Sequence, residues 1–195
     1  MQKLISIVGA SGVGKTTFVN ALAKTAKFAT AFEQHAERPF QSLFKQDNKY
    51  ALANQLDYLL LRAEQEKQLR AGDKTGLMDG GLDLDFHGFT RLFRRRGLIT
   101  HPEFDLCLRL YTLVRELLPP PDLIVLLSAS QKTIEGRLAS RRRINIASAH
   151  DAELMEGFIR EWLESISAEK ILRIDASNED ENYSGAARRL FERIA

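Results

Sequence analysis

Residues 9–16 read GASGVGKT and fill every fixed position of G-x-x-x-x-G-K-[ST]. Those residue types at that spacing suit one chemistry, the cradling of a polyphosphate. Glycines let the chain curl until backbone N–H groups converge on phosphate oxygens, and a helix beginning there adds the favourable end of its dipole. Lys15 has the reach for the β- and γ-phosphates of a nucleotide, and the Thr16 hydroxyl suits Mg²⁺. Gly9, Ser11, Gly12, Val13, Gly14, Lys15, Thr16 and Thr17 are therefore the candidate ATP-binding residues. The competing reading is a glycine-rich turn with a chance lysine. Against it stands the context, a strand-like LISIV before the loop and a helix-like KTTFVNALAKTA from Lys15 onward.

A phosphate loop alone does not choose among kinase, switch GTPase and motor. A guanine-reading N-K-x-D is missing, because NKY at 48–50 is followed by Ala51. A motor's apolar strand ending in a metal-binding acid is missing too, because LIVLL at 123–127 runs into SAS. The acidic residue well placed at a strand end is Asp79. Late in the chain, RLASRRRIN (137–145) packs four arginines into seven residues. Arginine's planar fork binds phosphate bidentately, so this run reads as a lid over donor phosphates. The sequence points to a small-molecule kinase.

At this point the chain resembles the deoxynucleoside kinase family. EQHAERPF (33–40) is similar to that family's E-P-V-x-x-N-P-F segment, keeping the Glu, the second Pro and the Phe. The resemblance implies that Glu33 is the general base for a sugar 5′-hydroxyl; the plainer reading is a surface glutamate at a strand end. QLDYLLLR (55–62) resembles the base-recognition helix, which makes Gln55 and Arg62 nucleobase contacts. Seven residues is close to two helical turns, so both side chains point the same way, and a solvated shoulder of an amphipathic helix is the alternative. LMDGGLDLDF (77–86) resembles the third-strand motif, usually D/E-R-S. Asp79 falls on the residue of the Mg²⁺ shell and Asp85 on the third base reader, although an Asp there could equally cap a helix. RLASRRR resembles the family lid, which implies phosphate and adenine contacts for Arg137, Arg141 and Arg143, with Arg137 and Arg141 also counted as catalytic. Two departures stand out. Gly80-Gly81 replaces Arg-Ser, and the place of a sugar-binding glutamate beyond the lid falls near Ile146.

These residues need a scaffold. Strand-like runs at 4–8, 27–32, 75–80, 123–127 and 171–174 alternate with helical patterns, which predicts a parallel sheet in a layered α/β fold. Residues 50–72 form the clearest helix, with Leu52, Leu56, Leu59 and Ala63 as its apolar stripe and Gly72 as its stop. Ser130 is the expected cap of the helix leading to the lid. The resemblance implies the order 2-3-1-4-5, a three-layer P-loop kinase fold and assembly as a homodimer. We expect one kinase domain over 1–195 with its lid around 137–146.

Composition narrows the partners. Lys and Arg total 28 against 26 Asp and Glu, a net charge of +2, too balanced for a dedicated nucleic-acid binder. A second basic run, RLFRRRG (91–97), is read as a helix end, where arginines complement the dipole. No stretch reaches membrane-spanning length, and the single Cys107 fits a reducing, cytoplasmic setting. The expected function is transfer of the ATP γ-phosphoryl group, with Mg²⁺, to the 5′-hydroxyl of a (deoxy)nucleoside or related small acceptor. The alternatives are a kinase for a nucleoside monophosphate or another small molecule, and a nucleotide-binding protein that has lost catalysis.

Overall fold

The structure is a computed structural model, and it describes residues 1–25, 27–32, 38–139, 149–180 and 182–195. Five strands, β1 (Leu4–Val8), β2 (Phe28–Ala31), β3 (Thr75–Asp79), β4 (Leu123–Ser128) and β5 (Ile171–Asp175), form one parallel sheet in the order β2-β3-β1-β4-β5. The expected strands and their order are all present, with ends moved by one residue at most.

β1 is buried along its whole length because helices cover both faces of the sheet. Its side chains alternate between two cores, as the two-residue strand period requires. Ile5 and Ile7 join Phe18 and Leu22 of α1 (Lys15–Ala23) and Leu190 of α9 (Ser184–Ile194). Leu4 and Val8 face the other way. Leu4 meets Leu69 of α3 (Ala51–Ala71), and Val8 meets Trp162 of α8 (Ala149–Glu164).

Before α3 come α2 (Pro39–Gln46) and a short 3₁₀ turn at Asn48–Tyr50. After β3 the chain runs through α4 (Leu82–Leu84), a π-helical stretch at Asp85–Thr90 and α5 (Arg91–Arg95). Gly97 ends that run at φ 69, with Leu98 N–H reaching back to Phe93 O at 2.9 Å, the left-handed stop that RLFRRRG predicts. α6 (His101–Leu117) then packs outside α3, starting from a Thr100–Glu103 capping box and ending before the prolines. Ser130 caps α7 (Gln131–Ala139) by accepting from Thr133 N–H at 3.3 Å. No helix among the described residues is long and apolar enough to cross a membrane.

One expectation about α3 needs correcting. The Leu52–Leu56–Leu59 stripe does pack on α6, but the deeper face is Gln55, Leu59, Arg62, Glu66 and Arg70. Polar groups occupy it because each finds a partner there, as described next.

Candidate active site

The phosphate loop leaves β1 with Gly9, Gly12 and Gly14 at φ of 146, 88 and 104. These are backbone conformations that side-chain-bearing residues avoid. Two of the glycines are also pinned by space. A Cβ on Gly9 would sit 2.4 Å from the Leu127 carbonyl, and one on Gly14 would sit 1.8 Å from the Tyr183 hydroxyl. Lys15 Nζ donates to Gly9 O at 2.9 Å and Ala10 O at 3.0 Å, folded across the loop mouth. Thr16 Oγ1 donates to Asp79 Oδ2 at 2.6 Å. The register of β1 with β3 sets Ile7 beside Asp79, which carries this carboxylate to the start of the loop.

Asp79 is 1% exposed, and its second oxygen, Oδ1, is buried without a hydrogen-bond partner. An orphaned carboxylate oxygen beside a threonine hydroxyl is a hard-oxygen pair that fits Mg²⁺. Among the described residues there is no cluster of three or more His, Cys, Asp or Glu that could cage a metal on its own. The fit is therefore to an ion that shares its coordination with bound phosphates.

Across the end of β3 lies a second polar group, built on α3 and the π-helical stretch. Arg62 Nε donates to Asp85 Oδ2 at 2.7 Å, with both side chains nearly fully buried. Gln55 Nε2 donates to Thr90 Oγ1 at 2.8 Å, and Thr90 Oγ1 in turn donates to Asp85 O at 3.1 Å. The Asp85 carbonyl in this π-helical stretch also accepts from Gln55 Nε2 at 3.4 Å, so Gln55 and Thr90 converge on it. Gln55, Arg62 and Asp85 are thus brought together, and the reading of Gln55 and Arg62 as a solvated shoulder fails because each is 2% exposed. Neither Asp83 nor Asp85 caps a helix; Gly81 occupies that position without a side-chain bond.

Asp83 instead accepts from Tyr111 Oη at 2.7 Å and Arg115 Nε at 3.0 Å. Arg115 continues to Glu66 at 2.8 and 2.9 Å, and Arg70 meets Glu66 from the other side at 3.3 Å. Burial disfavours the Arg115 charge, but the Glu66 hydrogen bonds and the Asp83 and Glu66 charges outweigh it and hold it protonated. Burial, then the Asp83 charge, pushes the Tyr111 hydroxyl well above its ordinary value. Tyr111 gives its proton to Asp83, so His87 Nε2, 3.1 Å from that oxygen, must be the donor and carry the hydrogen. Burial and the neighbouring Arg91 and Arg115 lower His87 to about 4.

Gly80 and Gly81 both have positive φ, 81 and 124. A Cβ on Gly80 would lie 3.5 Å from Arg62 Nη2. In the place of the family's Arg-Ser there is therefore a glycine turn against Arg62. Ser6 Oγ donates to Gly80 O, and Gly80 N–H donates to Ile7 O at 2.9 Å, which fixes the turn to β1. Sequence reasoning passed over Ser6, which looked like one more strand residue.

Of the lid, Arg137 is described. Its Nη1 donates to Val13 O at 2.6 Å and its Nη2 to Ala176 O at 2.9 Å. Glu33, Arg141 and Arg143 lie outside the described residues. The second arginine run is more than a helix end. Arg91 pairs with Glu161 at 2.6 Å and Arg96 with buried Asp151 at 2.8 Å, tying α5 to α8.

A parallel sheet of this order, with a phosphate loop after its first strand and an acid at the end of its third, defines a P-loop nucleotide-binding fold of the kinase type. The profile of the deoxynucleoside kinase family matches residues 5–195, and the chain belongs to that family. With the family comes kinase and nucleotide-binding character. The chain is 28% identical over 140 residues to the deoxyadenosine kinase of Dictyostelium discoideum, covering 71% of this chain and 57% of that protein's length. It is 21% identical over 184 residues to the deoxyadenosine/deoxycytidine kinase of Bacillus subtilis (strain 168), covering 92% and 85%. Structures of deoxyadenosine kinase from M. mycoides with bound dCTP and with bound dATP match at TM-score 0.79. Each covers 97% of this chain, at 18% and 20% identity, and shares the fold.

Proposed function

We propose that this protein is an ATP-dependent kinase that phosphorylates the 5′-hydroxyl of a deoxynucleoside, with deoxyadenosine the first substrate to try. The observation that carries the reading is the meeting of two built sites at the C-terminal ends of β1 and β3. The Lys15–Thr16–Asp79 group supports a nucleotide triphosphate, and the buried Gln55–Arg62–Asp85 group supports a base edge. A glutamine amide both donates and accepts, as a base edge requires. The relatives in Dictyostelium discoideum and Bacillus subtilis, a deoxyadenosine kinase and a deoxyadenosine/deoxycytidine kinase, favour deoxyadenosine.

In the reaction the 5′-oxygen attacks the γ-phosphorus, the bond to the β–γ bridging oxygen breaks, and ADP leaves. Glu33 orients the hydroxyl and takes its proton. Lys15 stabilises charge growing on the β and γ oxygens, and Arg141 and Arg143 close over them. Arg137 acts with them from α7, where it bonds Val13 O and Ala176 O. Thr16 and Asp79 would hold Mg²⁺, which supplies charge neutralisation on the phosphates. Single-domain organisation, the lid at 137–146 and a cytoplasmic setting are part of the same proposal.

We read the assembly as a homodimer. Leu106, Leu113 and Leu117 recur on one side of α6 and stay exposed, as does Leu60 of α3, apolar surface that a second copy would cover. The test of function is ADP release from Mg·ATP against deoxynucleosides, ribonucleosides and monophosphates, with Glu33→Gln alongside. Turnover on a deoxynucleoside that the mutant largely loses supports the proposal. Turnover on monophosphates alone, or none with ATP still bound, overturns it.

A further inference from the structure

Tyr183 is the one non-glycine residue at positive φ among the described residues, with φ 52 and ψ 40. Its turn is held from both sides. Tyr183 N–H donates to Asp180 O at 3.0 Å, and Asp180 Oδ1 accepts from Asn182 N–H at 2.9 Å and Ser184 N–H at 3.1 Å. Ala187 N–H then bonds Tyr183 O at 2.8 Å as α9 begins. The left-handed backbone turns the ring inward instead of along the α9 surface. The side chain is 3% exposed, with its ring 5.5 Å from Phe18 on α1.

Where the ring ends is the phosphate loop. Its hydroxyl lies so close to Gly14 that a Cβ there would be 1.8 Å away, and Arg137 Nη1 would be 3.3 Å from the same point. Arg137, with its guanidinium carbon 6.0 Å from the Tyr183 ring, bonds Val13 O in front and Ala176 O behind. The Val13–Gly14 turn is therefore pressed from outside by one aromatic ring and tied by one guanidinium to the exit of β5. Strain kept at a residue that surrounding bonds over-determine is often retained for a site it serves.

We propose that Tyr183 is a positioning residue for the donor phosphates, acting through Gly14 with Arg137 as its partner. The inference rests on the kinase reading of the loop. Lys15 and Thr16 follow Gly14 directly, so the ring behind Gly14 sets where their N–H groups and side chains stand. The last helix, far from the loop in sequence, becomes part of the donor site, while the acceptor helix α3 has no share in it.

The test is direct binding of Mg·ATP by calorimetry to the full chain, without acceptor, for wild type, Tyr183→Phe and Tyr183→Leu. KM values for ATP and deoxynucleoside and thermal midpoints are measured in parallel. The ring change to leucine should weaken ATP binding about tenfold, and loss of the hydroxyl alone about two- to threefold, with the acceptor KM within twofold in both. Folded variants that bind ATP like wild type, or that shift both KM values together, overturn the inference. If Tyr183→Leu fails to fold, Tyr183→Phe decides the question by the same donor-against-acceptor split. A wild type that binds no nucleotide would instead overturn the kinase reading of the loop itself.

Discussion

The donor and acceptor sides that we propose for this site are built on opposite principles. The donor loop is mostly backbone. Its shape comes from three glycines at positive φ, and its few side chains are Lys15 and Thr16 at the start of α1 and Asp79 at the end of β3. The proposed acceptor side is mostly buried side-chain charge, running from Arg62–Asp85 to Asp83–Arg115–Glu66–Arg70 across α3, α4, the π-helical stretch and α6. A loop that wraps phosphates needs converging N–H groups, which every residue carries, and so it tolerates little variation in spacing. A pocket that reads a base needs particular side chains whose partners come from distant segments. The first is local in sequence, and the second is not.

That difference explains what the sequence revealed. All five strands, α3 and the loop were legible because apolar runs and glycine spacing are local signals, and Asp79 stood out as an acid at a strand end whose Mg²⁺ role came from the resemblance. Gln55, Arg62 and Asp85 were legible only through family resemblance, and the structure brings them together. The polar deep face of α3 was not legible. Arg62, Glu66 and Arg70 look like the wet side of a helix until Asp85, Arg115 and Asp122 arrive from elsewhere. Tyr183 gave no signal at all, because a left-handed tyrosine is set by its turn and not by a pattern. The glycine pair at 80–81 was legible as a departure, but its position against Arg62 was not.

The contrast can be broken at its strongest point first. Lys15→Met removes the cation folded across the donor loop, and kcat should fall about a thousandfold, with the thermal midpoint nearly unchanged. Loss of stability without loss of turnover would mean that Lys15 is structural. On the acceptor side the expectation reverses. Glu66→Leu removes the buried carboxylate that Arg70 and Arg115 share and should cost about 3 kcal/mol in denaturant unfolding, with ATP affinity preserved in the protein that folds. A neutral result would show that the network contributes nothing to holding α3, α4 and α6 together.

Smaller changes sharpen the comparison. Gly80→Ala has space for the methyl group but must adopt φ 81, so it should cost about 1–2 kcal/mol in thermal or denaturant unfolding. A stabilised variant would mean that the turn can relax and that glycine there is no backbone requirement. The last effect is one of pH. Burial and two arginines lower His87 to about 4 from its ordinary 6.5, so the unfolded chain takes up a proton that the folded site refuses. Its contribution to stability is therefore whole above pH 6.5 and is lost as pH falls from there toward 4. His87→Gln should flatten the midpoint-against-pH curve across that window, and identical curves for the two proteins would remove His87 as the cause.

The most direct test of the central claim follows the phosphoryl group itself. Purified protein with Mg·ATP and deoxyadenosine is monitored by phosphorus NMR, with Glu33→Gln under the same conditions. The account predicts a deoxynucleoside 5′-monophosphate resonance growing in step with ADP, and its near absence in the variant. ADP appearing with inorganic phosphate and no nucleoside monophosphate, whichever deoxynucleoside is supplied, would contradict it.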